Sequence, residues 1–342
     1  MPDESTRRRL PAAVRHLIRA IQILLYIPIQ AIFVPFAIIG LLDGLRKEMG
    51  NSRSLGVSFS AVQALQYRWI MHHFDTRPDL HSVAFTKKFP CESHFGLWAI
   101  LGPLIVSHKL FGFSAGLGEL DEPGEETLSS TPGRRVLLFD RILETYVDQM
   151  EQIVIPGSGF DLIALQFTLG KEVKVFELDQ EATMNAKLET LREADIEHDW
   201  ITYVPVDYAR ESWADKLLAA GFDRTRRTLF VWQSVSLYLE EAAVRKTLLE
   251  MADLCEAECV IAQDFYSRAF VSGETSMVVR RTRRLFERMG EPWRFGIEMS
   301  SDPRAAVESF LNECGWKMTE FIQFGEKREV EPFYCIVEAV KR

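Results

Sequence analysis

From residue 20 to residue 42 the chain carries no charged side chain, the longest apolar run in its pattern of hydrophobic and polar positions. As a helix, such a run is long enough to cross about 30 Å of hydrocarbon. Pro28 and Pro35 interrupt it, and each removes a backbone donor and favours a kink. From 58 to about 109 apolar and aromatic residues recur at helical spacing, as in SAVQALQYRWIMHHF. A second apolar stretch at 95–113 is broken by His108 and Lys109. It reads as a lid helix, a substrate wall or a second membrane-touching surface. Residues 116–133 are rich in Gly, Glu, Ser and Pro and read as a loop.

Beyond that loop the period changes. Helices are predicted at 135–150, 161–169, 182–194, 213–220 and 240–254, alternating with short apolar strands at 152–155, 173–178, 201–206, 228–232 and 259–264. Such alternation implies parallel strands joined by right-handed helical crossovers. A helix at 305–314 and a strand at 333–340 follow, the latter suggesting an antiparallel edge. The expected organisation is a basic and apolar segment at 1–50, a helical lid region at 51–133 and an α/β domain at 134–342.

Charge changes this picture at the N-terminus. The net charge of −9 argues against a nucleic-acid partner, because a phosphate backbone attracts basic surfaces. The first fifty residues are nevertheless +3, through Arg7, Arg8, Arg9, Arg15, Arg19, Arg46 and Lys47 against four acids, and the remainder is −12. This asymmetry gives the N-terminus a separate task. The apolar run follows an arginine-rich stretch as a signal anchor would, without a small-residue cleavage site after it; a twin-arginine export signal is a rival. Basic residues flank both of its ends. A kinked hairpin or in-plane helix over 20–42 keeps both flanks on the cytoplasmic face, whereas a simple span would send the rest of the chain outside. The expectation is attachment to the cytoplasmic face of a membrane. The alternative is a buried helix capping the core of a soluble cytoplasmic protein. Five scattered cysteines suit a reducing compartment. Cys255 and Cys259 could face each other on a helix, but no second pair or histidine cluster completes a metal site, so no metal is expected.

The candidate chemistry lies where the strand at 152–155 runs into Gly157-Ser158-Gly159 and then a helix. Glycine permits a sharp turn and close approach of a ligand, and the helix offers free N–H groups. Twenty residues after Gly159 the next strand ends at Asp179, where an acid can accept both hydroxyls of an adenosine ribose. Glu177 is set aside in favour of Asp179, on the expectation that its side chain faces the other way. Nicotinamide dinucleotides usually require a third glycine beneath the pyrophosphate, but the chain continues Phe160-Asp161-Leu162. A carboxylate there repels a pyrophosphate and suits the ammonium group of S-adenosyl-L-methionine. The methionine-derived cofactor is therefore preferred over nicotinamide, and a ligand-free tight turn is the plainest alternative.

IVIPGSGFD, VFELDQEA, ITYVPVDY, LFVWQSVSLYL and FGIEM resemble successive motifs of the leucine carboxyl methyltransferase family, from about residue 58 to the C-terminus. The resemblance implies a class I methyltransferase (Rossmann-like) α/β fold with a seven-stranded sheet, an antiparallel last strand and an N-terminal helical lid. It also implies roles for individual residues. Arg68 and Arg135, the latter ahead of Phe139-Asp140, would pair with the cofactor carboxylate; Gly157 and Gly159 would line its methionyl part; Asp179 would hold the ribose; Asp207 would read the adenine amino group. Two departures stand out. Leu162 and Ile163 follow Asp161 where the family has Thr-Arg, and Gln233 stands where it has an acid. Tyr238, beyond Gln233, could line the acceptor pocket. A carboxylate acceptor needs no general base, whereas a hydroxyl would, with His72, His73 and His94 as candidates. The expected function is O-methyl transfer to a carboxylate or hydroxyl of a small or lipid-like acceptor at the membrane surface. Rival readings are a membrane-attached cofactor binder without catalysis and, further off, an NAD-dependent oxidoreductase.

Overall fold

In the computed structural model, residues 11–208, 210–328 and 330–342 are described. Arg7, Arg8 and Arg9, and the side chain of Arg15, lie outside the described residues. Nothing in the run 20–42 opposes a helix except its two prolines, and one helix, α1 (Ala12–Leu45), continues through both Pro28 and Pro35. Of the two forms expected, a kinked hairpin or an in-plane helix, the hairpin does not form: two missing donors in a ladder this long are outweighed by packing along the helix. A π-helical turn (Arg46–Asn51) and a short helical turn (Ser52–Leu55) follow. Next come α2 (Phe59–His73), α3 (Leu80–Lys88), α4 (His94–Phe111) and α5 (Thr131–Tyr146). Ser58, Asp79 and Ser93 cap the first turns of α2, α3 and α4. The last of these five helices begins four residues before the predicted position. Its Thr-Pro-Gly start reads as loop in sequence, yet proline suits a helix's first turn.

α1 lies antiparallel against α4. Gly40 meets Gly96 and Ala99, so closely that a Cβ on Gly40 would stand 2.7 Å from the Ala99 Cβ. Further along, Phe33 covers Gly102, the Tyr26 ring lies 5.1 Å from Phe113, and Gln22 Nε2 donates to the Phe111 carbonyl at 2.8 Å. On its other side α4 packs Leu97 and Ile105 against Trp69 and Phe74 of the α2 region. The outward face of α1 is bare: Leu24 is 68% exposed and Ile32 69%. Among the described residues, the helical stretch His16–Leu55 is the one long and apolar enough to cross a membrane.

The sheet comprises β1 (Gln152–Pro156), β2 (Lys174–Asp179), β3 (Ile201–Pro205), β4 (Thr228–Trp232), β5 (Cys259–Tyr266), β6 (Trp316–Gln323) and β7 (Tyr334–Lys341). Their order is β3-β2-β1-β4-β5-β7-β6; the first five are parallel and β7 runs antiparallel to both neighbours. The connecting helices are α6 (Ile163–Thr168), α7 (Glu181–Glu193), α8 (Trp213–Ala219), α9 (Glu241–Leu254), α10 (Arg268–Ser272), α11 (Met277–Arg288) and α12 (Pro303–Glu313). Alternate residues of the central strands feed two cores. Ile153, Ile155 and Val175 face Leu65, Phe85 and Phe139, so the N-terminal helices share a core with the sheet. Val154, Phe176 and Phe230 face Leu217, Leu248 and Phe310. β6, α10 and α11 have no counterpart among the predicted elements. Cys255 and Cys259 do meet, with sulfurs 2.9 Å apart, but across the turn from α9 into β5 rather than along a helix.

Where α4 begins, Glu92 is buried, and its Oε1 accepts from Ser93 N at 2.8 Å. Burial pushes its carboxyl up to about 7, Glu48 adding to this against a hydrogen bond from Gln66. The folded state therefore holds that proton more tightly than the unfolded chain between the ordinary value of 4.5 and about 7, and stability is lost as pH rises through that window. Glu92→Gln keeps the neutral form at every pH. It should stabilise the protein by about 2–3 kcal/mol at pH 8 and leave it nearly unchanged at about pH 4, below the ordinary carboxyl value. Thermal melts at the two pH values check this, and an equal shift at both would contradict it.

Candidate active site

β1 ends in a turn that only glycine adopts without strain: Gly157 has φ +70° and Gly159 φ +52°. Gly157 N donates to the Leu178 carbonyl at 2.7 Å, and a Cβ on Gly157 would stand 2.5 Å from Val235 Cγ2. Asp179, at the end of β2, fixes the turn from the other side. Its Oδ2 accepts from Gly159 N and its Oδ1 from Gln180 N, each at 2.7 Å. Burial pushes the Asp179 carboxyl up, against these two bonds and the charge of Lys187.

Asp161 is held from two sides. The guanidinium of Arg68, buried on α2, pairs with its carboxylate, and Lys187 Nζ from α7 donates to its backbone carbonyl at 2.6 Å. Asp161 Oδ1 also accepts from Ile163 N at 2.9 Å, which delays the start of α6 to that residue. The same ammonium contacts Glu177 at 2.5 Å, both side chains being 1% exposed. Burial raises the Glu177 carboxyl and Lys187 opposes this. Glu177 thus does not face away from Asp179: residues two apart on a strand share a face, and both carboxylates lie beneath the glycine turn.

The turn opens into a cavity of about 1600 Å³ at the carboxyl ends of β1, β2 and β4. This is where the strand order reverses, the usual ligand position in open α/β sheets. The volume exceeds the usual range for one small ligand and leaves room for two. Arg68, Arg135, Gly157, Gly159, Asp179, Gln233 and Tyr238 all line it. Asp207 does not. It is exposed beyond β3, its carboxylate 3.7 Å from Arg210 Nε and its N–H donating to Glu211. The next residue, Tyr208, is the one that lines the cavity.

The histidines also stand elsewhere. His72 Nδ1 accepts from Asp79 N at 3.0 Å, and His94 Nε2 from Trp98 Nε1 at 3.2 Å. His73 packs 4.1 Å from the Trp69 ring, and burial lowers its imidazole to about 4. None of the three lines the cavity.

Arg135 enters the cavity from α5. Its Nη1 donates to Ser234 Oγ at 2.6 Å and lies 3.4 Å from the Tyr266 hydroxyl. Ser234, with φ +56°, is bound in turn to Asp264: its N–H donates to Oδ1 at 2.7 Å and its hydroxyl lies 3.0 Å from Oδ2. Tyr334 donates to the same carboxylate at 2.7 Å. Burial alone would lower the Arg135 guanidinium; Tyr266, Tyr334 and Asp264 more than offset this and raise it. Asp264 occupies the next strand, and in sequence nothing marks it apart from the rest of β5. Arg135 Nε and Arg68 Nη1 are buried and have no hydrogen-bond partner among the described residues.

The opposite wall is aromatic. Phe59, Tyr238, Tyr266, Phe270, Phe286 and Trp293 line it, with ring centroids of the contacting pairs 5.1–6.5 Å apart. Glu291 holds this wall against α2, accepting from Phe59 N at 2.6 Å and Ser60 N at 3.0 Å.

The strand order, the antiparallel β7 and the glycine turn leading to an acid at the end of β2 define a class I methyltransferase fold. Residues 107–252 match the family described as leucine carboxyl methyltransferase. A protein of Mycobacterium sp. (strain JLS), provisionally named an S-adenosyl-L-methionine-dependent methyltransferase, is 31% identical over 196 residues, covering 54% of this chain and 60% of that one. A protein of the same provisional name from Mycobacterium ulcerans (strain Agy99) is 25% identical over 218 residues, 60% of this chain and 68% of the relative. The chain thus spans about 60% of the length of the first of these curated relatives. Among solved structures, geranyl diphosphate C-methyltransferase from Streptomyces coelicolor A3(2) is similar with a TM-score of 0.43 and 13% identity, over 67% of this chain and 88% of that one.

Proposed function

We propose that the protein transfers a methyl group from S-adenosyl-L-methionine to the carboxylate of a lipophilic acceptor at a membrane surface. One observation carries the cofactor assignment. Two guanidinium groups, Arg68 and Arg135, line the cavity that holds the glycine turn and Asp179, and each has an N–H that no described residue accepts. A buried donor without a partner is costly, and a ligand carboxylate satisfies both.

In this reading Asp179 accepts the ribose hydroxyls and the turn at Gly157 and Gly159 lets the methionyl part approach the backbone. Asp161 and Ser234 aim the two guanidinium groups. Asp264, reaching Arg135 through Ser234, supplies a carboxylate on β5 where Gln233 leaves none on β4. Tyr208 is the residue of the loop after β3 that faces the adenosine end, beside Asp207. The cofactor, when bound, supplies the electrophilic methyl group. The chain's part is to align the acceptor with it and exclude water. The aromatic wall does both for a lipophilic molecule.

A carboxylate acceptor is already ionised near pH 7 and needs no general base, and the three histidine candidates for that role stand outside the cavity lining. Burial pushes the Tyr238 and Tyr266 hydroxyls up, so both remain donors that can orient an acceptor oxygen. The bare face of α1 supports membrane attachment. Because α4 ties this helix along its length to α2, an in-plane position on the cytoplasmic face suits it better than a span.

Incubating the full chain with methyl-labelled S-adenosylmethionine and a membrane extract tests the reading. Label should enter a lipid-soluble product and be released as methanol by mild alkali, as from a methyl ester. Alkali-stable label would overturn the carboxylate assignment. Cofactor binding without any transfer would favour the binding-only alternative.

A further inference from the structure

α11 is the most basic element of an acidic protein: MVVRRTRRLFER holds five arginines against Glu287, while the chain as a whole is −9. Its two faces differ sharply. Val279, Thr282, Phe286 and Met289 turn towards the cavity, at i, i+3, i+7 and i+10. Arg280, Arg281, Arg284 and Arg288 are exposed on the other side, and none lies within 4 Å of a carboxylate among the described residues. Arginines left without acids on the surface of an acidic protein point to an anion from outside it. At the start of the helix Met277 and Val278 are 72% and 68% exposed, and Val278 also lines the cavity, so α11 borders the mouth.

The position of α11 in the fold identifies the partner. Arg53 Nη2, eight residues beyond the end of α1, donates to the Arg288 carbonyl at 3.2 Å and lies 3.6 Å from Met289 Sδ. The basic helix therefore stands beside the end of the apolar one, with Arg46 and Lys47 on the connecting turn. Exposed apolar residues next to arginines on one short helix suit the boundary between headgroups and acyl chains. Nucleic acid or an acidic polypeptide would use the arginines alone.

We propose that α11 docks on an anionic lipid surface, its arginines on the headgroup phosphates and Met277 and Val278 in the acyl boundary, so that the cavity mouth opens onto the membrane. This rests on the membrane attachment proposed for α1. An acceptor would then pass from the lipid along Val278 to the aromatic wall without crossing water.

Co-sedimentation of the full chain with vesicles of phosphatidylcholine alone, or mixed with phosphatidylglycerol, tests this against Arg281→Gln/Arg284→Gln/Arg288→Gln. Glutamine keeps the helix propensity, and none of the three side chains lines the cavity. An unchanged S-adenosylmethionine affinity reports that the variant is folded. Wild type should bind both vesicles and prefer the anionic ones; the variant should bind neutral vesicles equally and lose at least about tenfold of that preference. Equal binding of wild type to both vesicles, or a preference surviving in the variant, overturns the inference and leaves attachment through α1 standing. Loss of RNA or polyglutamate binding in the variant, with no vesicle preference in wild type, overturns it in favour of that partner. Binding to neither vesicle removes the attachment reading itself.

Discussion

Asp179→Ala should weaken binding of S-adenosylmethionine at least about a hundredfold, since each hydrogen bond to a charged group contributes about 1.5–3 kcal/mol and two ribose hydroxyls are involved. The substitution acts twice. It removes the acceptor for the ribose and strips Gly159 N and Gln180 N of the oxygens they donate to in the folded turn. Asp179→Asn separates the two effects: an amide oxygen can still cap one N–H, so the turn survives better than the affinity. Calorimetric titration of both variants, with melts to show that they are folded, reads the difference. A dissociation constant for Asp179→Ala within a few-fold of wild type would contradict the assignment.

Lys187→Met should cost about 3–5 kcal/mol of stability, a large part of what a domain has. The ammonium is buried beneath the glycine turn, held by Glu177 and the Asp161 carbonyl. Without it the Glu177 carboxylate is left charged and unpaired in a site where burial already raises its pKa. Removing both charges is gentler than removing one, so Lys187→Met/Glu177→Gln should recover most of the loss. Denaturant titration measures this. A single variant within about 1 kcal/mol of wild type would show that the pair does not hold the turn.

The parts legible in the sequence are those whose signal is local. Buried parallel strands such as Gln152–Pro156 are unbroken apolar runs, and the glycine turn follows directly after that strand. α11 was not legible, because its arginines conceal an inward face made of Val279, Thr282, Phe286 and Met289. Lys317, Thr319 and Glu320 hide β6 in the same way, as befits an edge strand whose outer side chains are solvated. The partnership of Arg135 with Ser234 and Asp264 joins residues 99 and more positions apart, and only the packed sheet brings them together. The continuity of α1 is likewise tertiary: its prolines argue for a break, and the close Gly40–Gly96 crossing along α4 holds the helix together.

The most direct measurement is calorimetric titration of the full chain with S-adenosylmethionine, in parallel with nicotinamide adenine dinucleotide. Saturable binding of the former at one site per chain, lost on Asp179→Ala, together with no heat from the dinucleotide, is the predicted result. No heat from S-adenosylmethionine, or binding indifferent to Asp179, would contradict it.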